Sequence, residues 1–338
     1  MKTLRILLLL HEELIPPENA TKKLSEGAPW KTEFDVFNGL KALGHDVLIT
    51  GVHSNVDVLR TALFKHKPHI VFNLLEEFDG NATYDHNVVS YLELRRQAYT
   101  GCNPQGLMLA RDKALSKKIL SYHRIPTPKF AIIAKGHKVS LPKNLEYPVF
   151  VKSLIEEASL GISQASVVRS DKQLSDRVAF IHKSIGTDAL IEHYIEGREF
   201  YIGVLGNKNL QTLPTYELQF NRLKDDSEPI ATSQVKWSQK YRNKYGIRSV
   251  PARLNSELDA QIQKLAKRCY KRLGLSGYAR IDLRVDNKNN AFILEANPNP
   301  GIAIFEEFPE AAKRLGYSYE ECLSKIISLG LSWFEKRA

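Results

Sequence analysis

The chain has 338 residues, 43% of them hydrophobic and 25% charged, the balance of an ordinary globular protein with room for two or three structural units. Its formal net charge is +10, and its longest apolar run, Ile6 to Leu10, is far too short to span a bilayer. The three cysteines, Cys102, Cys269 and Cys322, stand far apart with no C-x-x-C pair, which argues against a disulfide framework or a zinc cluster and fits a reducing, cytoplasmic setting.

The opening Met1-Lys2-Thr3-Leu4-Arg5 ahead of the apolar run resembles a secretory leader, but Arg5 interrupts the stretch, and His11-Glu12-Glu13 stands where small cleavage-site residues would. Leu4 to Leu10 is therefore expected as a buried first strand. Phe34, Phe37, Leu40 and Leu43 have helical spacing and predict a helix over 32–43, stopped by Gly44. A strand over 46–50, a helix over 56–64, a strand over 69–74 and a helix over 84–95 continue the alternation. This rhythm predicts a parallel sheet with helices outside, over residues 1–105. His66 and His69 flank Lys67-Pro68 in a predicted turn and read as loop histidines, not as a metal site.

From Pro104 the pattern changes. A basic helix over 111–122 ends ahead of Ile125-Pro126-Thr127-Pro128. Strands over 130–134 and 149–152, a polar acidic turn to Gly161, a strand over 163–168, a helix capped by Asp171 and a strand over 189–192 make a small central unit, 106–192. The remainder, 193–338, holds a strand over 199–205, an amphipathic helix over 256–273, strands over 277–285 and 291–295, and a closing helix over 319–334. Residues 218–251 are long, polar and weakly patterned, and read as a lid loop. Between Asn221 and Asn255 stand eight Lys or Arg against three acids. Such a segment attracts an anionic small substrate or nucleic acid. No helix-turn-helix, RNP or zinc-finger pattern accompanies it, so a nucleic-acid partner is not expected.

The carboxylates near the end carry the first chemical signal. Arg280 and Asp282 share one face of a predicted strand, and Glu295 and Asn297 share a face of the strand returning after the turn at Asp286 to Asn290. Adjacent antiparallel strands can bring Asp282, Glu295 and Asn297 together. Three hard oxygen donors with an incomplete shell suit magnesium, although two solvent-facing strands would carry the same alternation. Lys152 ends an apolar strand, and Lys113 lies early in the basic helix. Neither G-x-x-x-x-G-K-[ST] nor G-x-G-x-x-G occurs. A nucleotide would therefore need these lysines and the turn Glu156-Glu157-Ala158-Ser159-Leu160-Gly161, whose backbone N–H groups can close over phosphates.

The order of motifs adds to this. Arg111-Asp112-Lys113, Pro148-x-x-x-Lys152, Glu156-x-x-Ser159-x-Gly161-Ile162, Ile191 through Glu199, Arg280-Ile281-Asp282 and Leu294-Glu295-Ala296-Asn297-Pro298-x-Pro300-Gly301 follow one another. Together they resemble the ATP-grasp superfamily, and within it the D-alanine–D-alanine ligase-like branch, from about Asn73 onward and more loosely before it. The resemblance implies an α/β (α+β) ATP-grasp fold, with an N-terminal parallel-sheet unit, a small central unit and a C-terminal antiparallel sheet. It implies an ATP-dependent ligase that activates a small carboxylate as an acyl phosphate and joins it to an amine. The implied cofactors are ATP and magnesium, one ion or two, with manganese as a substitute, and the implied assembly is a homodimer through the first unit.

Residue by residue, the resemblance makes Lys113 and Lys152 the phosphate-contacting lysines. Glu192, His193, Tyr194 and Ile195 become the adenine hinge, and Glu199 the carboxylate at the ribose. Ser159, Gly161 and Ile162 become the flap over the phosphates. Asp282, Glu295 and Asn297 become the magnesium ligands, with Glu295 bridging. Arg280 and the Gly301 N–H steady the oxyanion, and Lys240-Tyr241 matches a Lys-Tyr pair of the lid. Such a set would spread phosphoryl charge, hold an oxyanion and exclude water. Three positions depart from the branch. The first strand leads into His11-Glu12-Glu13 with no Gly-Gly turn, the flap serine falls at Ala158, and the acceptor-site serine and leucine fall at Glu306-Glu307. Acids there would repel a free amino-acid carboxylate and welcome a cationic or amine-bearing acceptor. Two other readings are a biotin-carboxylase-type enzyme using bicarbonate and a non-catalytic basic binder of RNA or an acidic partner. The likeness to the D-alanine ligase branch weighs against the first, and the intact lysines and carboxylates against the second.

Overall fold

The computed structural model describes residues 2–155, 160–224 and 227–336. Three sheets organise it. In the first, β1 (Arg5–His11) lies between β2 (Asp46–Val52) and β3 (Ile70–Asn73), all parallel. Ile6 through Leu10 are fully buried, as a parallel strand covered on both faces requires. Helices α1 (Lys22–Ser25), α2 (Lys31–Ala42), α3 (Val56–His66) and α4 (Asp85–Leu94) connect and follow these strands.

Two helices come next, α5 (Pro104–Arg111) and α6 (Lys113–Tyr122). The sequence reading has one. The break falls at Asp112, whose carboxylate accepts the N–H groups of Ala114 and Leu115 and so starts α6 afresh. The start of α5 is marked by Asn103 as cap and Pro104 behind it.

The second sheet is antiparallel, in the order β4-β7-β5-β6, from β4 (Phe130–Ile133), β5 (Val149–Ser153), β6 (Val167–Val168) and β7 (Ala189–His193). Only Val167 and Val168 of the expected strand over 163–168 pair with β5; Gln164–Ser166 make a 3-10 turn. Helix α7 (Asp171–Phe180) covers this sheet, and its cap is Ser170 rather than Asp171, through a bond from the Gln173 N–H to the Ser170 hydroxyl.

The third sheet is also antiparallel. Its order is β11-β10-β8-β12-β13 with β9 beside β8, from β8 (Arg198–Leu205), β9 (Gln211–Thr212), β10 (Tyr216–Phe220), β11 (Ile247–Pro251), β12 (Tyr278–Val285) and β13 (Ala291–Pro298). The expected lid loop over 218–251 is therefore no loop at its ends, where Tyr216–Phe220 pairs with Ile247–Pro251. Between them lie α8 (Ser233–Trp237) and α9 (Gln239–Tyr245), too short and polar to show a periodic apolar face. Helix α10 (Ser256–Arg272) seals the back of the sheet with Leu258, Ile262, Leu265, Ala266 and Cys269. After α11 (Glu307–Arg314), α12 (Tyr319–Glu335) returns to pack on α2 and β3, so that Leu323, Ile326 and Ile327 share a core with Ile6, Leu8, Leu40 and Phe72. Among the described residues no helix is long and apolar enough to cross a membrane.

Candidate active site

A cleft of about 660 Å³ opens between the second and third sheets. Alternation along β12 buries Ala279, Ile281 and Leu283 behind the sheet and turns Arg280, Asp282 and Arg284 toward the cleft side. Strand β13 lies alongside, and its register sets Asp282 opposite Glu295 and Arg280 opposite Asn297. The three expected metal donors thus share two rungs of one ladder.

Arg280 grips Asp282 with both arms, Nε to Oδ1 at 2.7 Å and Nη2 to Oδ2 at 2.9 Å. Its guanidinium lies 4.9 Å over the Tyr201 ring. Asn297 donates its Nδ2 to the same Asp282 oxygen at 2.9 Å, which leaves its carbonyl oxygen for another partner. Burial pushes the Asp282 carboxyl up against the pull of Arg280. Glu295 goes the other way. Burial raises it, but Lys152, Lys113, Lys236 and Arg280 together outweigh that and hold it near 2. Two carboxylates and one amide carbonyl fit a small hard cation that keeps water and phosphate oxygens in its other positions. Among the described residues no group of three His, Cys, Asp or Glu offers a fuller cage.

The lysines come from the second sheet and α6. Lys152 on β5 points its Nζ between Glu192 Oε2, at 3.3 Å, and Glu295 Oε2, at 3.9 Å. Lys113, in the first turn of α6, is buried and close enough to Glu295 to depress it. Two further lysines escaped the sequence reading. Lys117, one turn after Lys113 on the same helix, is 1% exposed and pairs with Glu192 Oε1 at 2.7 Å. It also donates to the Thr127 hydroxyl at 2.9 Å, which in turn donates to the Ile293 carbonyl of β13 at 2.9 Å. The i, i+4 spacing from Lys113 was its only signal. Lys236 on α8 lines the cleft and acts on both Asp282 and Glu295. The expected lid pair sits elsewhere: Lys240 is exposed, and the Tyr241 ring lies 4.6 Å from Tyr245. Lys236-Trp237, four residues upstream, is also a lysine–aromatic pair in the sequence.

At the other end of the cleft the wall is apolar and aromatic. Phe150 and Tyr194 stack with centroids 6.4 Å apart, and Ile162, Ile195, Ile230 and Leu294 stand around them with His193. The Glu192 side chain is buried against its two lysines, which hold the carboxyl below its usual range although burial alone would raise it. Glu199 accepts the Tyr201 hydroxyl at 3.0 Å, and its burial pushes its carboxyl up.

The flap and the excursion after β10 are already joined. Ser159 lies outside the described residues. Gly161 has φ of +72° and its carbonyl accepts from Arg177, while the Ile162 carbonyl accepts the Ser233 N–H at 3.2 Å. Gln164 and Glu228 exchange bonds: Nε2 to the Glu228 carbonyl at 3.1 Å, and the Glu228 N–H to Gln164 Oε1 at 2.8 Å. Tyr194 adds its hydroxyl to Glu228 at 3.1 Å. Ile230, Ala231 and Lys236 are thereby held in the cleft wall.

Beyond Arg280 the chain turns through Gly301 to Glu306 and Glu307. A methyl group on Gly301 would run into the Glu306 carboxylate, so only glycine lets that acid lie so close. The loop is fixed from behind. Asp35 of α2 accepts the Ile304 N–H at 2.8 Å and pairs with Lys31 at 2.8 Å, and Tyr319 donates to the Ile302 carbonyl at 3.0 Å. Next to it Glu33, in the first turn of α2, is 4% exposed. Burial pushes its carboxyl up to about 7, a bond from its own backbone N–H pulls the other way, and the Glu306 charge adds to the rise. The folded chain therefore keeps a proton that the unfolded chain has lost. Stability falls as pH rises from the ordinary 4.5 toward 7, by a total on the order of 3 kcal/mol at ~1.4 kcal/mol per unit. Glu33→Gln is expected to remove that slope and to be the more stable protein at pH 8. Urea unfolding at pH 5 and pH 8 checks it, and parallel stability curves for the two proteins would rule it out.

Residues 119–328 match the family model described as D-ala D-ala ligase C-terminus. The chain is 31% identical over 260 residues to the uncharacterized protein y4sG of Sinorhizobium fredii, across 77% of this chain and 74% of that one. It is 30% identical over 309 residues to a D-alanine–D-alanine ligase of Carboxydothermus hydrogenoformans, across 89% and 93%. Among solved structures it superposes on a D-alanine–D-alanine ligase from Bacillus anthracis complexed with ATP, with a TM-score of 0.76 at 21% identity over 99% of this chain and 100% of that one. The corresponding enzyme from Coxiella burnetii gives 0.73 at 17% identity over 100% and 96%.

Proposed function

The chain belongs to the D-alanine–D-alanine ligase family of the ATP-grasp fold, and from that premise we propose that it joins a small carboxylate to a positively charged amine rather than to free D-alanine. The reading of its nucleotide half rests on residues that converge. Phe150, Tyr194 and Ile195 form an apolar slot for a base, and Glu199 lies between that slot and Asp282. Lys152, Lys113 and Lys236 present positive charge where phosphate oxygens would lie, around Glu295. Magnesium held by Asp282, Glu295 and the Asn297 carbonyl would neutralise charge on the phosphates. Arg280, with no partner for Nη1 among the described residues, can donate that arm to a developing oxyanion together with the Gly301 N–H. The joined flap and excursion shut water away from an activated acyl group.

The single observation that carries the acceptor half is the Glu306 carboxylate lying against Gly301, beside Arg280. A substrate carboxylate brought to that place would meet like charge, while an ammonium group would be attracted. ADP release measured across a panel of amino-acid and polyamine pairs tests this; a clear preference for D-alanine as acceptor sinks it. Glu306→Ser is expected to lower kcat/KM for cationic acceptors by about ten- to hundredfold, the worth of a charge-assisted contact, while leaving the KM for ATP alone. If acceptor selectivity does not move, Glu306 has no such role.

A further inference from the structure

We propose that Glu33, Glu306 and Glu307 form a subsite for a second, non-reacting cationic group of the acceptor, so that the acceptor class is a diamine or a basic amino acid; this rests on the ligase reading above and adds Glu33 as a specificity residue. The cleft is lined by Tyr194, Arg284 and Asp282; Arg280 follows on the same face of β12, and the charges of Glu307 and Glu306 act on Arg280. Glu306, which lies against Gly301, and Glu307 therefore neighbour Arg280 rather than the base slot, and Glu33 neighbours Glu306.

Their pairing is one-sided. Among the described residues, no lysine, arginine or histidine forms an ion pair with Glu33, Glu306 or Glu307. The two nearest cations are committed: Lys31 to Asp35 at 2.8 Å, and Arg280 to Asp282 at 2.7 Å. Glu33 is the sharper anomaly. It is 4% exposed, and its Oε2 is buried with no hydrogen-bond partner. Buried polar atoms almost always have a partner, and an orphan oxygen calls for a donor that comes from outside the chain. The loop supplies a second anomaly. Phe305, between the fixed Ile304 and Glu306, is 67% exposed and has φ of +75°. A bulky side chain in the left-handed region is strained, and such strain gathers where a side chain must be presented. An exposed aromatic ring next to Glu306 in the chain suits an alkyl ammonium, which takes ring contact along its chain and, at its head, displaces the proton that burial holds on Glu33.

The test separates binding from turnover. Calorimetric titration of the full chain with magnesium and a non-hydrolysable ATP analogue compares 1,4-diaminobutane and ornithine with n-butylamine and alanine. The diamino compounds are expected to bind at least tenfold more tightly than their monoamine counterparts. Glu33→Gln is expected to remove most of that difference, and Glu33→Asp to keep part of it, with the affinity for the ATP analogue changed less than twofold in both. Equal affinities for the diamino and monoamino compounds, or a preference that survives Glu33→Gln, overturns the subsite. A loss of analogue affinity in step with the diamine also overturns it, because that marks a structural role only. ADP release by the parent protein reads the ligase function separately: tight diamine binding without ADP release sinks the ligase reading and keeps the subsite, and ADP release without a diamine preference does the reverse.

Discussion

Glu295→Gln abolishes magnesium-dependent ATP turnover, with kcat expected to fall on the order of 10³-fold. The substitution keeps the size of the side chain and removes one charge at the centre of the site. Lys152, Lys113, Lys236 and Arg280 all act on this carboxylate and keep it ionised down to about 2. Without it, four cations lose the carboxylate they share, at the place proposed for the metal ion. Metal affinity falls because a hard carboxylate has become a weak amide donor. Glu295 is the better probe than Asp282, since its contact with Lys152 is a long 3.9 Å approach. Asp282→Asn would also strip Arg280 of its two-armed partner, and buried charges left alone cost folding stability as well as activity. The measurement is ADP release against magnesium concentration. Activity above a tenth of the parent's at saturating magnesium is incompatible with a central metal ligand at this position.

Lys117→Met produces the largest loss of stability. Lys117 and Glu192 are 1% and 3% exposed, and their pair at 2.7 Å has no water to replace either partner. Removing the cation leaves Glu192 buried with only Lys152, at 3.3 Å. Breaking such a pair costs roughly 3–5 kcal/mol, which lowers Tm by on the order of 10 °C in a chain of this size. Glu192 also draws more strongly on Lys152, so the KM for ATP should rise in the same variant. The double variant Lys117→Met with Glu192→Leu removes both buried charges and should recover most of the Tm. Thermal unfolding followed by circular dichroism, with ATP kinetics on the surviving fold, distinguishes the two effects. A Tm within 2 °C of the parent for Lys117→Met would show that Glu192 is stabilised by other groups.

Much of this was legible in residue order. The alternation of Arg280, Asp282, Glu295 and Asn297 predicted a shared face, and the ladder places them on two rungs either side of the Ile281–Ala296 pair. The apolar run Ile6 to Leu10 predicted a buried strand, and it is the centre of the parallel sheet. Periodicity failed where elements were short. The helices inside 218–251 span five and seven residues, too few for an apolar face to repeat. Lys236 carries no periodic signal for that reason, and the Lys240-Tyr241 pair, which the residue order favours, is not among the residues lining the cleft. Lys117 was missed because a buried lysine reads as a surface charge until its partner is known, and Glu192 lies on a strand of the second sheet. Glu33 sits in the first turn of a helix, where an acid is expected for reasons of the helix dipole alone. Only its burial and its orphan oxygen set it apart.

The packing of α12 against α2 and β3 has a consequence for how the protein is made. About 250 residues separate Asn73, at the end of β3, from Tyr319, where α12 begins. At roughly 5–20 residues per second, a ribosome takes tens of seconds to cross that distance. Throughout that interval Ile6, Leu8, Leu40, Ile70 and Phe72 lack the Leu323, Ile326 and Ile327 that complete their core. This layer, synthesised well before α12, is thus covered late, and its apolar surface is open to chaperones, or to other nascent chains, until α12 has emerged.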